Sequence, residues 1–240
     1  MAERYTFESH QVLTKDGAIL LAHRINLTSD LKAALEDQTC VGKVALLVHS
    51  MNCCSEVFFL QGNGKNIGTY WVEKGYDVWL TNQRGNRYSL DHKDPNITAE
   101  KFFDYSIDQY ALDVETYYKF IEGKTPQGGK ITYVSYSLGG YIFSMSHSEG
   151  KICKYLNSKT ERAVLVAPLL LPALSKPEAN LVIPQEALVF FRKRAQELRI
   201  YGYARLARTP DFSHLRLEWE MNEKFVETNT MKSDLIKSNP

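Results

Sequence analysis

The sequence predicts an α/β fold with a doubly wound, mostly parallel sheet that carries an antiparallel hairpin at its N-terminal edge. Three observations predict it. Short apolar runs at residues 43–48 and 76–80 lack polar alternation, which is typical of strands buried on both faces of a parallel sheet. Helical patterns lie between such runs along the chain. Two extended runs near the N-terminus flank an Asp-Gly pair, a common hairpin turn.

The N-terminal elements are arranged around this turn. Residues 5–13 and 18–25 lie on either side of Lys15-Asp16-Gly17, so we expect them to pair as an antiparallel hairpin. The next stretch, residues 26–42, is polar and predicts a loop with a short helix at residues 31–35. The hairpin therefore precedes the first parallel strand.

The central part of the chain supplies the helices that alternate with the strands. Residues 64–74 have helical spacing and stop at Gly75. Residues 104–122 form the clearest helical pattern, which ends at Gly123. The apolar stripe of this helix consists of Ile107, Tyr110, Ala111, Val114, Tyr117 and Ile121.

The segment Ser135-Tyr136-Ser137-Leu138-Gly139 lies between a predicted strand, residues 130–136, and a predicted helix, residues 138–148. A strand, a tight turn with serine at its apex and a helix form the elbow that raises a nucleophilic hydroxyl above a parallel sheet. The usual pattern is G-x-S-x-G, and Ser135 replaces its first glycine. Ser137 is therefore a candidate nucleophile. A further strand is predicted at residues 162–167.

The chain changes character after Pro168. We expect an α/β core domain at residues 1–167 and a second region, residues 168–240, of helices and a polar tail. Residues 185–208 predict a basic helix, which could lie on a membrane, dock a partner or pack across the sheet. Residues from 218 to 222 also have a helical pattern, and residues 229–240 form the tail.

Composition limits the function. Apolar residues make up 44% and charged residues 24% of the 240 residues, and the formal net charge is +1, so nucleic acid is not an expected partner. No apolar run reaches the roughly 18 residues of a membrane span. The N-terminus has no signal-peptide pattern, so we expect an intracellular chain, cytosolic or internally targeted, unless it is already processed. The scattered cysteines lack metal-ligand spacing, and we expect neither metal nor cofactor.

Several segments together resemble the acid lipase family of α/β-hydrolases, the group of gastric and lysosomal acid lipases. The resemblance runs from about Tyr5 to Pro168, as if truncated after the lid region. Its most specific part is Gly75-Tyr76-Asp77-Val78-Trp79 followed by Arg84-Gly85-Asn86. The other matching segments are residues 13–20 with Arg24-Ile25, residues 46–49, Tyr105-Ser106 and residues 133–139.

This resemblance implies an α/β-hydrolase fold and a lipid-ester hydrolase. The family's nucleophile position falls on Ser137, and its His-Gly oxyanion segment falls on His49-Ser50-Met51. The oxyanion donors would be the backbone amides of Met51 and Leu138. Such a serine needs a histidine to take its proton and an acid to orient that histidine.

The acid and the histidine are the missing parts. After Ser137 the remaining histidines are His147, on the helix after the elbow, and His214, in a lid-like region without a preceding strand. In this fold both groups follow late strands of the sheet. Asp211 and His214 are therefore weak candidates. The strand at 162–167 is expected to be an exposed edge, open to another chain.

Three functions follow from these residues. The first is a catalytically inactive structural or docking subunit, with protein partners at the exposed edge or the basic helix. The second is a lipid ester hydrolase whose acid and histidine come from another chain or a missing segment. The third is a lipid-binding module. We expect His49 to be a hydrogen-bonded structural residue and Arg84 and Asp77 to hold loops through ion pairs. We expect Asp113 to be a capping or loop-anchoring carboxylate.

Overall fold

The computed structural model describes residues 4–50, 53–60, 66–125, 129–148, 150–168, 203–208 and 215–220. The strands are β1 (Tyr5–Leu13), β2 (Ala18–Leu27), β3 (Val44–Val48), β4 (Asp77–Leu80), β5 (Asp91–His92), β6 (Ile131–Tyr136), β7 (Thr160–Val166), β8 (Tyr203–Arg208) and β9 (Leu215–Glu220). The helices are α1 (Ser29–Ala33), α2 (Ile67–Glu73), α3 (Ala99–Phe103), α4 (Ile107–Lys124), α5 (Leu138–Ser148) and α6 (Gly150–Lys159), and a 3₁₀ turn spans Ser55–Phe59.

The main sheet has the strand order β1-β2-β4-β3-β6-β7, with β5 pairing to β2. The pairs β3–β4, β3–β6 and β6–β7 are parallel, and β1–β2 and β2–β4 are antiparallel. This arrangement confirms the predicted fold class, including the N-terminal hairpin. The carboxyl ends of β3, β4 and β6 meet at one edge, where ligands bind in open α/β sheets.

Both faces of the central strands are buried. Val44, Leu46 and Val48 of β3 belong to a core formed with α4, α5 and α6, whereas Ala45 and Leu47 belong to a second core formed with α2 and the 3₁₀ turn. A strand that contributes to two cores needs apolar side chains at every position, which is why β3 reads as an unbroken apolar run.

The helix predicted at residues 104–122 is correct in type but begins later. The structure starts α4 at Ile107, with Ser106 as N-cap: its hydroxyl accepts from Asp108 N–H at 3.3 Å, and its own N–H donates to Gln109 Oε1 at 2.8 Å. The capping box requires an extended backbone at Ser106, so the helix begins after this residue and does not include residues 104–106. Helix α6, which follows α5 directly, was not predicted from the sequence.

The C-terminal region corrects two predictions. Residues 203–208, assigned to the basic helix, form β8, and residues 218–220, predicted as helical, belong to β9. The two strands pair antiparallel, so a strand does precede His214, contrary to expectation. In β9 apolar Leu215, Leu217 and Trp219 alternate with charged residues, a period of two that indicates a strand. The rest of the predicted basic helix, residues 185–202, lies outside the described residues.

None of the helices in the described ranges is both long enough and apolar enough to cross a bilayer. The proposed boundary between residues 167 and 168 stays a prediction.

Candidate functional site

Ser137 lies at the apex of a sharp turn between β6 and α5. Its φ of +53° is in the left-handed region, which non-glycine residues rarely adopt. Two hydrogen bonds hold this conformation: Ser137 N–H donates to Val166 O at 3.0 Å, and Gly140 N–H donates to Ser137 O at 2.9 Å. A strained serine held between a strand and a helix is the geometry of a nucleophile elbow. Its catalytic role stays a prediction.

Two glycines allow the elbow to pack against the sheet. A Cβ on Gly139 would lie 2.6 Å from Val48 O and 2.9 Å from Ser135 Cβ. A Cβ on Gly140 would lie 2.6 Å from Pro168 Cβ. The first turn of α5 therefore sits directly on the ends of β3 and β7, where only glycine fits.

Ser135 occupies the position of the first glycine in the usual elbow pattern. It pairs in register with Val48 and Leu165 and is 1% exposed. The structure accommodates its Cβ because Gly139 opposite has none. Among the described residues its buried hydroxyl has no hydrogen-bond partner, and such burial costs free energy.

His49 directly follows β3, and its ring is buried. The ring Nδ1 lies 2.7 Å from Ser50 O, and Nε2 accepts from Gln83 N–H at 3.1 Å. Asn86 Nδ2 also lies 3.2 Å from Nε2, and Gln83 Nε2 donates to His49 O at 3.0 Å. Burial lowers the pKa of His49 to about 4, so the ring is neutral at physiological pH. His49 is hydrogen-bonded as expected, and its structural role stays a prediction.

The oxyanion assignments remain predictions. Leu138 is buried at the first position of α5, where backbone N–H groups have no partner within the helix. Met51 lies outside the described residues, and Ser50, the last described residue before it, is buried. The site thus brings the end of β3 beside the N-terminus of α5.

A polar loop after β4 braces this region. Asn82 Oδ1 accepts from Ser55 N–H at 3.0 Å, and Asn82 N–H donates to Tyr117 Oη at 3.1 Å. The hydroxyl of Tyr117 donates in turn to Asn82 O at 2.7 Å. The sequence pattern indicated no functional role for Asn82 or Gln83, and it placed Tyr117 only in the apolar stripe of the helix. The pattern that could have identified this loop as part of the site is the polar run at residues 81–86, directly after a buried strand at the carboxyl edge of the sheet.

Arg84 anchors the same loop through two carboxylates. Its guanidinium, with a side chain 4% exposed, donates from Nε to Asp113 Oδ2 at 2.8 Å and from Nη2 to Oδ1 at 2.6 Å. It also donates from Nη1 to Asp16 Oδ2 at 2.7 Å, which ties the loop to the hairpin turn. The loop-anchoring roles expected for Arg84 and Asp113 are confirmed. Asp77 likewise pairs with Arg24, at 2.8 Å.

The two carboxylates on Arg84 differ in environment. Burial raises the pKa of Asp113 to about 6, and the hydrogen bonds from Arg84 oppose this rise, so the group is ionised at neutral pH. Burial alone would also raise the pKa of Asp16, but the hydrogen bonds from Arg84 and Thr14 lower it to about 2. Both contacts are thus ion pairs at neutral pH.

Five of the six imidazoles lie in the described part of the chain, and each contacts groups other than the Ser137 hydroxyl. His147 lies near the end of α5, with Nδ1 3.1 Å from Phe143 O and Nε2 3.0 Å from Thr160 Oγ1. His23 Nδ1 is 2.8 Å from Ser55 Oγ. His10 pairs with Glu8 at 2.7 Å, and His92 Nε2 is 3.1 Å from Asp16 O. Asp211 and His214 lie outside the described residues.

Strand β7 is an edge of the main sheet. It pairs with β6 on one side and with no strand on the other among the described residues. Val164 and Val166 are each 36% exposed, and Tyr136, opposite Val166, is 39% exposed. The expectation of an exposed edge is confirmed for the described part of the chain, and the hydrogen bond to Ser137 N–H places that edge beside the elbow.

This combination of sheet, elbow and helix is that of the α/β-hydrolases. In the same fold, the crystal structure of a lipase candidate from Sulfolobus solfataricus matches with a TM-score of 0.50 at 14% identity, over 87% of this chain and 56% of that one. A family model described as the partial α/β-hydrolase lipase region matches residues 2–62.

Several proteins of similar sequence are named as lipases. A Schizosaccharomyces pombe protein named as a probable lipase is 33% identical over 170 residues, 70% of this chain and 35% of the relative. Triacylglycerol lipase 1 of Arabidopsis thaliana is 28% identical over 69% of this chain and 39% of the relative. Human lipase member M is 33% identical over 56% of this chain and 31% of the relative. The chain is a lipase-like α/β-hydrolase, and its resemblance to the acid lipase family is confirmed. It spans between 31% and 39% of the length of these relatives.

Proposed function

We propose that this chain is a lipase-like subunit that is catalytically silent on its own and acts by docking to another polypeptide. The observation that carries the proposal is the contrast between the formed elbow and the described imidazoles. Ser137 has the strained backbone of a nucleophile, yet His10, His23, His49, His92 and His147 are all committed to other contacts.

The chemical consequence is large. A serine hydroxyl at its ordinary pKa is a weak nucleophile, and it attacks an ester at a useful rate only when a base removes its proton. Loss of triad members typically costs on the order of a millionfold in turnover, although the oxyanion hole and binding leave roughly a thousandfold acceleration over water. Without an imidazole at Ser137, the chain would therefore show only slow chemistry.

The exposed β7 edge supports a docking role. A long uncharged edge is prone to pair with another strand, and natural sheets protect such edges with charges or proline. Strand β7 carries Glu161 and Arg162 in its first half, but its second half, residues 163–166, has no charged side chain. We therefore place the partner surface at β7, with Tyr136, Val164 and Val166 as its apolar contacts.

A second candidate function is lipid ester hydrolysis with the acid and the histidine supplied by another polypeptide or by a longer product. The positive φ of Ser137 favours it, because strain of about 1–3 kcal/mol is usually retained where it serves a mechanism. The hydrogen bond from Ser137 to Val166 is also relevant, because a strand added beside β7 would end near the elbow.

A fluorophosphonate probe separates the two functions. We expect the isolated 240-residue chain to label only slowly, with Ser137→Ala as the control for labelling elsewhere. Rapid stoichiometric labelling at Ser137 would show an activated serine and reject the proposal of silence. Native mass spectrometry of the purified assembly then tests the alternative, which requires a companion polypeptide whose addition accelerates labelling.

A further inference from the structure

The ring of His49 is held in one tautomer by its neighbours. The backbone N–H of Gln83 can only donate, so Nε2, at 3.1 Å, must accept with its lone pair. The carbonyl of Ser50 can only accept, so Nδ1, at 2.7 Å, must carry the proton. The amide of Asn86 is oriented to donate as well, because its Oδ1 accepts from Tyr88 N–H at 2.9 Å. The ring is thus the neutral Nδ1–H form.

His49 also lies where the end of β3 meets the elbow. A Cβ on Gly139 would lie 2.6 Å from Val48 O and 3.3 Å from His49 O. The backbone at residues 48–49 is therefore in direct contact with the first turn of α5. Any shift of His49 changes the spacing between Ser50 and the helix that begins after Ser137.

The loop that holds His49 is itself fixed. Its residue Asn82 donates from Nδ2 to Leu21 O at 3.0 Å and is bonded through its backbone to Tyr117. Arg84 is bound to two carboxylates. The loop can therefore act as a rigid support, and the His49 ring transmits its position to the end of β3.

From these contacts the geometry points to His49 as a positioning residue: its neutral Nδ1–H ring accepts the Gln83 N–H at Nε2 and thereby holds the end of β3 against the first turn of α5, which follows the Ser137 elbow. The inference rests on the proposed assignment of Ser137 as the nucleophile position. It goes beyond a structural role, because it assigns His49 an effect on chemistry at a serine that it does not touch.

Two amide side chains can each replace one half of the ring. Glutamine places an acceptor near the position of Nε2, so His49→Gln should keep the Gln83 contact. Asparagine places a donor near Nδ1, so His49→Asn should keep the Ser50 contact. His49→Phe keeps the ring volume and removes both. His147→Gln is the matched control, because it changes another partly buried, hydrogen-bonded histidine at the far end of α5.

The experiment uses the full 240-residue chain and three measurements. Nitrogen-15 NMR of the imidazole reads the tautomer, amide hydrogen exchange reads the Gln83 N–H, and slow fluorophosphonate labelling, corrected with Ser137→Ala, reads the elbow. We expect a pyrrole-type Nδ1 and a pyridine-type Nε2 for His49. Exchange at Gln83 should accelerate about tenfold or more in His49→Phe, the effect of one lost hydrogen bond, and stay near wild type in His49→Gln and His147→Gln.

The labelling rates at Ser137 should follow the same order of variants as the exchange protection of Gln83 N–H. We expect the slow rate at Ser137 to fall about tenfold or more in His49→Phe, because small displacements of oxyanion donors are costly, and to recover in His49→Gln. If His49→Phe does not fold, His49→Asn removes the Gln83 contact with a smaller change. It should then give the loss of exchange protection and the slower labelling.

Failure of the positioning role of His49 and failure of the proposed catalytic silence would give different results. An Nε2–H tautomer, or equal Gln83 exchange in the His49→Phe and His147→Gln chains, would overturn the inference whatever Ser137 does. Opening of the Gln83 contact with an unchanged labelling rate would overturn the positioning role. Rapid labelling of the wild-type chain would instead overturn the proposed catalytic silence, while the exchange and tautomer results still decide the role of His49.

Discussion

The buried ion pair between Arg84 and Asp113 allows the most quantitative prediction. The side chains of Arg84 and Asp113 are 4% and 3% exposed, and two hydrogen bonds of 2.6 and 2.8 Å join them. In Arg84→Met the carboxyl group of Asp113 stays buried without its partner and must either remain charged or take up a proton; breaking such a pair typically costs about 3–5 kcal/mol. This is a large part of the 5–15 kcal/mol that typically stabilises a domain.

Asp16 provides the matched control on the same arginine. Its side chain is 52% exposed, and exposed pairs are worth only about 0.2–1 kcal/mol. We therefore expect Asp16→Asn to destabilise the fold by less than about 1 kcal/mol. Replacing both buried partners, as Arg84→Met with Asp113→Leu, should recover most of the loss, because no buried charge then remains unpaired.

Urea denaturation at pH 7, followed by circular dichroism, measures the free energy of unfolding of each variant. If Arg84→Met prevents folding, Asp113→Asn provides a milder test, since Arg84 keeps its contact with Asp16. A loss below about 1 kcal/mol in Arg84→Met would refute the reasoning. Equal destabilisation by Asp16→Asn and Asp113→Asn would also refute it, since burial would then not decide the cost.

Three further predictions concern acid, the elbow and the edge. Burial lowers the pKa of His49 to about 4, below the usual 6.5, so the folded state binds fewer protons; its stabilisation is present above pH 6.5 and is lost as the pH falls towards 4. Asp113 and His147 also titrate in this range, so the loss due to His49 is the difference between the wild-type chain and His49→Gln; at pH 5 it should reach about 2 kcal/mol in urea titrations, and the same pH dependence in both chains would contradict it. Ser135→Ala should stabilise the fold by about 1 kcal/mol, because it removes a buried hydroxyl that has no partner among the described residues. Gly139→Ala should destabilise the fold, because the added Cβ would lie too close to Val48 O. Thermal denaturation of both variants checks the sign of each effect. Val164→Lys should abolish association with the partner polypeptide through β7, measured by light scattering of the purified assembly, and should change the free energy of unfolding by less than about 0.5 kcal/mol; unchanged association would exclude this edge.

Much of the fold was predictable because it depends on local patterns. The unbroken apolar run of β3 and the Asp-Gly turn of the hairpin each identify their element from a few neighbouring residues. The exact start of α4 was less predictable, because the Ser106 capping box competes with a helical continuation from residue 104. The basic helix predicted at residues 185–208 was wrong at residues 203–208, because its charges also fit a hairpin strand.

The sequence by itself determined the position of Ser137 at an elbow, because the strand, the turn and the helix that form it are contiguous in the chain. Only the tertiary structure decided which groups the buried polar side chains contact. His49 meets Gln83 across 34 positions, and Arg84 meets Asp16 across 68. Local propensity carries no information about such partners. They are selected when the sheet closes, because each buried donor or acceptor must then find a complement or lose its hydration without compensation.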